Sequence, residues 1–331
     1  MKKALVIGID GYPGHPLQCC VNDATEVARL LQWNEDGSPN FDVDLLTSQD
    51  SDVSNWGLEK AVSRFYKSSS KAETAVLYFA GHGIISPSTD AGYIVGTDGR
   101  QGAWGMSLSQ LLCLANEAHQ TITSSVLILD CCHAGYLGEV TGSSAGNASV
   151  VGPGVTILTS CNEDEKAKER GQHGVFTDLL LDGLRGGCAD IRGHITPASV
   201  YSHIDQALGA HEQRPLYKAN VQRFVTLRQV APSIPLEVLR RLPVHFPDPA
   251  MVYRLDPSYE SDRQNVSEAL KHLPVDPEHA RVFKELQMYN RHGLVVPVGA
   301  DYMFFAAIES QGCKLTALGK HYRRLAEKIR I

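Results

Sequence analysis

Two short stretches hold side chains able to do chemistry together. Val126-Leu127-Ile128-Leu129 runs into Asp130, Cys131, Cys132 and His133, then into the small pair Ala134-Gly135. Upstream, Ala75-Val76-Leu77-Tyr78-Phe79-Ala80 runs into Gly81-His82-Gly83. A thiol at the tip of one buried strand and an imidazole at the tip of another supply a nucleophile and its base. Cys132 would attack a carbonyl carbon as a thiolate, while His82 takes its proton and returns it to the leaving amine. A glycine after the histidine lets the main chain approach a substrate. The N–H groups of Gly83 and Cys132 are therefore natural donors to the developing oxyanion.

Such a pair needs elements that bring both tips to one place. Residues 3–9 are a continuous apolar run typical of a parallel strand buried on both faces. Val21, Ala24, Val27, Ala28 and Leu31 then recur at helical spacing, with Asn22 and Asp23 as candidate N-terminal caps. Further strands are expected at 41–46, 74–80, 93–95, 125–130, 155–160 and 221–227, and helices at 56–67, 108–119, 175–184 and 197–208. This alternation implies an α/β fold with a mostly parallel sheet. In such sheets ligands collect outside the carboxyl ends of the strands. His82, Cys132 and Asp23, which opens the helix after the first strand, all converge on that edge.

The 331 residues leave room for one large domain and a small one, and 43% hydrophobic with 21% charged residues is ordinary for a soluble globular protein. No run of 18 or more apolar residues exists to span a membrane. The N-terminal apolar run meets Asp10 after six residues, so it reads as a strand and a poor signal peptide. Eight cysteines, two pairs of them adjacent, suit neither a disulfide framework nor a metal knuckle and point to a reducing cytoplasm. The net charge of −6 divides unevenly: residues 1–231 hold 17 Lys and Arg against 25 Asp and Glu, and residues 232–331 hold 14 against 12. The prolines at 232 and 235 mark a boundary, giving domains at 1–230 and 231–331.

The motifs resemble those of caspase-like cysteine peptidases, of the metacaspase and bacterial orthocaspase kind. The matching residues are Leu5–Gly8 with Tyr12, Cys20-Val21-Asn22-Asp23-Ala24, Tyr78 to Gly83 and Asp130 to Gly135. Leu158-Thr159-Ser160, Gly174-Val175-Phe176-Thr177 and Ile195-Thr196 are similar to the small-subunit region. The family often has Ser at the positions of Cys131 and Ala134, so choosing Cys132 as nucleophile rests on the Cys-His pair. The resemblance implies a caspase-like six-stranded, mostly parallel sheet flanked by helices, and an endopeptidase with a Cys132–His82 dyad. It also implies that Asp23 and Asp130 line the pocket for the residue before the cut. Two carboxylates in a partly desolvated pocket favour a guanidinium, whose fork satisfies both, so cleavage after Arg and then Lys is expected. The Gln-Ala-Cys signature of the Asp-specific animal branch is absent.

Blander roles compete at several positions. Asp23 could serve only as a helix cap and Asp130 only as a cap for the loop after its strand. Cys131 and Cys20 read as packed thiols, His133 as a loop-structuring side chain, and Asp98 as ordering a loop without a catalytic role. No Lys or Arg occurs between Arg100 and Lys166, so the Gly/Ser-rich loop 142–154 offers a basic-specific protease no self-processing site. The first candidates are Lys166, Lys168 and Arg170, and an activating cut is expected there. Some metacaspases require calcium, but no EF-hand-like acidic loop is present to decide this. No other cofactor or metal is expected.

In the C-terminal part a helix at 278–291, a strand at 294–298, a β-ribbon with arms at 303–309 and 314–315 flanking Gln311-Gly312, and a basic helix at 317–329 suggest a small winged-helix-like α+β domain. Lys320, Arg323, Arg324, Lys328 and Arg330 give it local positive charge, yet a net of +2 argues against nucleic acid as its partner. A protein regulator or upstream activating protease is the expected partner, alongside protein substrates carrying Arg or Lys. Association with an accessory domain suggests a regulated bacterial defence or cell-death effector. The competing reading is a winged-helix nucleic-acid-binding regulator or scaffold whose caspase-like domain is inactive.

Overall fold

Successive residues of the apolar runs face opposite sides of one sheet, and both sides are covered. The computed structural model describes residues 1–51, 53–87, 91–132, 151–160, 169–170, 172–209, 214–262 and 266–331, with backbone alone at 169, 170 and 269. The chain forms two units, Met1–Ala231 and Pro232–Ile331.

The first unit begins β1 (Lys2–Gly8), α1 (Cys20–Gln32), β2 (Asp42–Thr47), α2 (Asn55–Lys67) and β3 (Ala72–Ala80). There follow β4 (Gly83–Ile85), β5 (Gly92–Arg100), β6 (Ala103–Ser107), α3 (Leu108–Glu117) and β7 (Ile122–Asp130). The remainder holds β8 (Val155–Thr159), β9 (Glu169–Arg170), β10 (His173–Gly174), α4 (Val175–Asp182), β11 (His194–Ile195), α5 (Pro197–Ala207), β12 (Leu216–Ala219) and β13 (Arg228–Gln229). A six-stranded sheet runs in the order β12-β8-β7-β3-β1-β2. All its pairings are parallel except that of the edge strand β12 with β8.

On one face Leu5, Ile7, Leu77, Phe79, Leu127 and Leu129 pack with Leu58 and Val62 of α2 and Leu111 of α3. On the other, Val6, Val76, Tyr78, Val126 and Ile128 pack with Val27 of α1, Leu180 of α4 and Ile204 of α5. Strands buried on both faces need no polar alternation, which explains their continuous apolar runs.

Two expectations for this unit need correction. The last strand of the six-stranded sheet forms at Leu216–Ala219, and residues 221–227 stay outside that sheet. Val225 and Leu227 are buried in the core instead, whereas Val221 and Phe224 are exposed, so the apolar character of 221–227 reflects packing without strand pairing. The first helix is capped by neither Asn22 nor Asp23. Asp10, just beyond β1, accepts from the N–H groups of Cys20 (2.9 Å) and Val21 (3.1 Å). Its carboxylate satisfies donors that helix geometry leaves open and sits favourably at the positive end of the helix. Asp98 does order a neighbouring segment, accepting from the N–H of Asn55 at the start of α2 at 2.6 Å.

The second unit carries α6 (Leu236–Leu239), α7 (Leu242–His245), β14 (Val252–Arg254), α8 (Glu268–Lys271), α9 (Pro277–Arg291), β15 (Val295–Val298), α10 (Met303–Ile308), β16 (Gly312–Leu315) and α11 (Ala317–Glu327). Its antiparallel sheet has the order β14-β16-β15. Residues 303–308, expected as one arm of a ribbon, are helical, so β15 and β16 are joined through α10. Burial of Met303, Ala306 and Ala307 at helical spacing on one side explains the difference. Arg323 does not add to an exposed basic face: it is buried and donates to the carbonyls of Phe246 and Pro247 and to Glu327. Among the described residues no helix is long and apolar enough to cross a membrane.

Removing the Asp10 carboxylate tests the capping argument. Asp10→Ala should cost about 1 kcal/mol and lower Tm by about 2–4 °C, as measured by thermal unfolding of the full chain.

Candidate active site

The carboxyl ends of three neighbouring strands lie level. Gly8 of β1 pairs with Ala80 of β3, and Ala80 pairs with Asp130 of β7. His82 and Cys132 each stand two residues past this line, on adjacent strands about 4.8 Å apart. Gly83 and Cys132 approach so closely that a Cβ on Gly83 would collide with the Cys132 carbonyl oxygen. Only glycine fits there. Cys131 is buried at 1% exposure beside this contact, while Cys132 is partly exposed.

His82 is held from three directions. Its Nε2 lies 2.8 Å from the carbonyl oxygen of His15, which can only accept, so Nε2 carries the hydrogen and Nδ1 is left as the basic nitrogen. Its backbone N–H donates to the Tyr12 hydroxyl at 3.0 Å, and that hydroxyl donates to the Val95 carbonyl at 2.9 Å. The Tyr12 ring also packs on the imidazole at a centroid distance of 4.4 Å. Burial pushes the Tyr12 hydroxyl well above its ordinary pKa, so it remains a neutral donor. Neither role could be read from sequence. Tyr12 belonged to a motif without an assigned task, and any residue type can supply a carbonyl.

Asp23 and Asp130 meet at the corner where β10 turns into α4. A Cβ on Gly174 would lie 2.8 Å from Asp130 Oδ2 and 3.3 Å from Asp23 Oδ2. Asp23, 1% exposed, accepts from the Gly174 N–H at 3.0 Å and from His173 Nδ1 at 2.5 Å. Asp130, 7% exposed, accepts from the Thr177 hydroxyl at 2.6 Å. Since Thr177 spends its only hydrogen on Asp130, the buried Tyr78 hydroxyl, 2.7 Å away, must donate to Thr177. Burial, foremost, pushes the Asp23 carboxyl up to about 7, and the Asp130 charge adds to this. The bonds from Gly174 and His173 oppose the rise. Asp23 lies inside the first turn of α1, so its side chain is free to serve this corner, with helix capping left to Asp10.

A thiol, an imidazole of fixed tautomer and main chain brought close at Gly83 and Cys132 are the parts acyl transfer needs, and two buried carboxylates can receive a cation. Lys166, Lys168 and the loop at 142–150 lie outside the described residues, as do His133 and the side chain of Arg170. Among the described residues no group of three or more His, Cys, Asp or Glu is placed to hold a metal ion.

A sequence model described as "Caspase domain" matches residues 1–225. The chain belongs to the caspase-domain family. Its six-stranded sheet with helices on both faces is accordingly a caspase-like fold, and membership supports a cysteine-protease-like function. A crystal structure of a protein from Geobacter sulfurreducens is similar at 17% identity and a TM-score of 0.47, covering 69% of this chain and 99% of that one. Caspase-1 from Spodoptera frugiperda is similar at 12% identity and a TM-score of 0.48, covering 69% of this chain and 90% of that one. No curated protein matches the sequence significantly.

The unequal burial of the adjacent thiols has a direct readout. Iodoacetamide should label Cys132 of the caspase domain well before Cys131, as followed by peptide mass spectrometry over time. Equal labelling would contradict the geometry.

Proposed function

We propose that this caspase-domain protein is a cysteine endopeptidase that cuts protein substrates after Arg, and less readily after Lys. The observation that carries this reading is the meeting of two buried carboxylates, Asp23 and Asp130, about Gly174. Two like charges taken out of water this way are costly unless a cation joins them, and a guanidinium can bond both at once. The Cys132 thiolate attacks the scissile carbonyl, with His82 Nδ1 accepting the thiol proton. The N–H groups of Gly83 and Cys132 donate to the oxyanion. His82 then passes the proton to the leaving amine, and water hydrolyses the thioester to regenerate the thiol.

Reporter peptides ending in Arg, Lys or Asp test the reading. Arg reporters should be cut fastest, and Asp23→Asn or Asp130→Asn should lower their kcat/KM by 100-fold or more, since breaking a buried charge pair costs about 3–5 kcal/mol. Preference for Asp reporters would overturn the pocket, and activity kept in Cys132→Ala but lost in Cys131→Ala would overturn the nucleophile. Because Asp23 must ionise to receive a cation, kcat/KM should rise as pH increases through about 7. The same shift acts oppositely on stability. Between about pH 4 and 7 the folded chain retains a proton that the unfolded chain loses, so this group's contribution declines as pH rises.

Activation follows from position in the chain. The β9–β10 pair, which carries His173 against Asp23, directly follows Lys166 and Lys168 and includes Arg170. A cut after one of these residues would break the chain within or just before β9, the strand paired with His173. Intact-mass and peptide analysis of the active protein should find cleavage within 162–174; full activity with that segment uncut would sink the proposal. The second unit is proposed to bind a protein regulator, with a defence or cell-death role resting on its association with the caspase domain.

A further inference from the structure

A cavity of about 380 Å³ lies against His82 and shares no residue with the carboxylate corner. Tyr12, Pro13, Ile84, Val95 and Trp104 form its apolar walls, with His82 forming part of the boundary. It lies between the loop after β1 and the three-stranded sheet β4-β5-β6. Its size is at the small end of ligand cavities, which run from roughly 300 to 1,000 Å³. The Asp98 carboxylate at its edge already accepts from the Asn55 N–H, and Tyr12's hydroxyl is spent between His82 and Val95.

Its position relative to the reaction follows from the two faces of the sheet. Asp23 and Thr177 lie on α1 and α4, which cover the sheet face into which Tyr78 of β3 points. Tyr12 and Val95 belong to the core of the other face. Successive side chains of an extended peptide point to opposite sides, so a basic side chain on the α1 and α4 face turns the side chain after the cut towards the other. His82, which must reach the leaving nitrogen, bounds the cavity. The first side chain beyond the scissile bond is therefore the group closest to it.

We propose that this cavity is a binding subsite for an apolar side chain, such as Leu or Phe, on the residue that follows the scissile bond. Filling it removes apolar surface from water and dries the space around the His82 ring. This selection rests on the endopeptidase reading and adds a second requirement, so that the preferred substrate pairs a cation before the cut with a hydrophobe after it.

The test measures binding and so does not depend on turnover. Full-length Cys132→Ala protein, both intact and cut within 162–174 by an added protease that is then removed, is titrated into fluorescent peptides that span the cut and differ only in having Gly, Leu, Phe or Asp after Arg. Leu and Phe should bind about tenfold or more tighter than Gly and Asp, and Trp104→Ala should reduce the Leu-over-Gly ratio. Equal affinity for Gly, Leu and Phe in the Cys132→Ala protein overturns the subsite. A second peptide set with Gln in place of Arg separates the two readings. If the Leu preference persists while Arg and Gln bind equally, the subsite stands and the basic pocket falls. Failure of every peptide to bind either the intact or the cut protein overturns both.

Discussion

The site depends on strand register. Parallel pairing sets Gly8, Ala80 and Asp130 side by side, so three loops leave the sheet at one level. A slip of one residue between β3 and β7 would turn every side chain of one strand to the opposite face. Leu77 and Leu127, packed on one side, and Tyr78 and Ile128, on the other, would then all be misplaced. The two hydrophobic cores therefore fix the register, and the register fixes the spacing of Cys132 and His82. Chemistry at the tips is held by packing well below them.

The carboxylate corner is assembled against its own electrostatics. Burial raises Asp23, and the nearby Asp130 charge raises it further. Hydrogen bonds from Gly174, His173 and Thr177 offset part of the cost, and the buried Tyr78 hydroxyl extends the chain behind Thr177. Such groups fix both carboxylates in place, the preorganisation that the proposed pocket for a basic side chain would require. The absence of a side chain at Gly174 lets the backbone reach between them. The helix that begins there thus starts where its backbone meets both carboxylates.

The small sheet β4-β5-β6 has a parallel task on the other side. It pins Gly83 against Ile94 and presents the Val95 carbonyl to Tyr12, which in turn holds the His82 main chain. The loop after β1 contributes the His15 carbonyl that sets the imidazole tautomer. Orientation of His82 is therefore distributed over backbone groups and one phenol. The same elements enclose the apolar cavity beside it.

Much of this protein was legible in its sequence. Apolar runs without polar alternation specified strands covered on both faces, because only such strands can bury every residue. Their order, interleaved with helical periodicity, gave the α/β architecture, and the residues at their tips, Asp130, Cys132 and His82, stood out because polar groups end an apolar run. Other features depended on contacts between distant segments, for which local pattern carries no signal. Residues 216–219 became the edge strand because their backbone meets β8, although 221–227 is the longer stretch carrying apolar residues. Asp10 became the helix cap in place of Asp23 because the end of β1 lies beside the start of α1. His173, Thr177 and the His15 carbonyl acquired their places only when α1, α4 and the β1 loop met at the sheet edge. Sequence determined which segments are buried; tertiary structure decided which polar groups they bring within bonding distance.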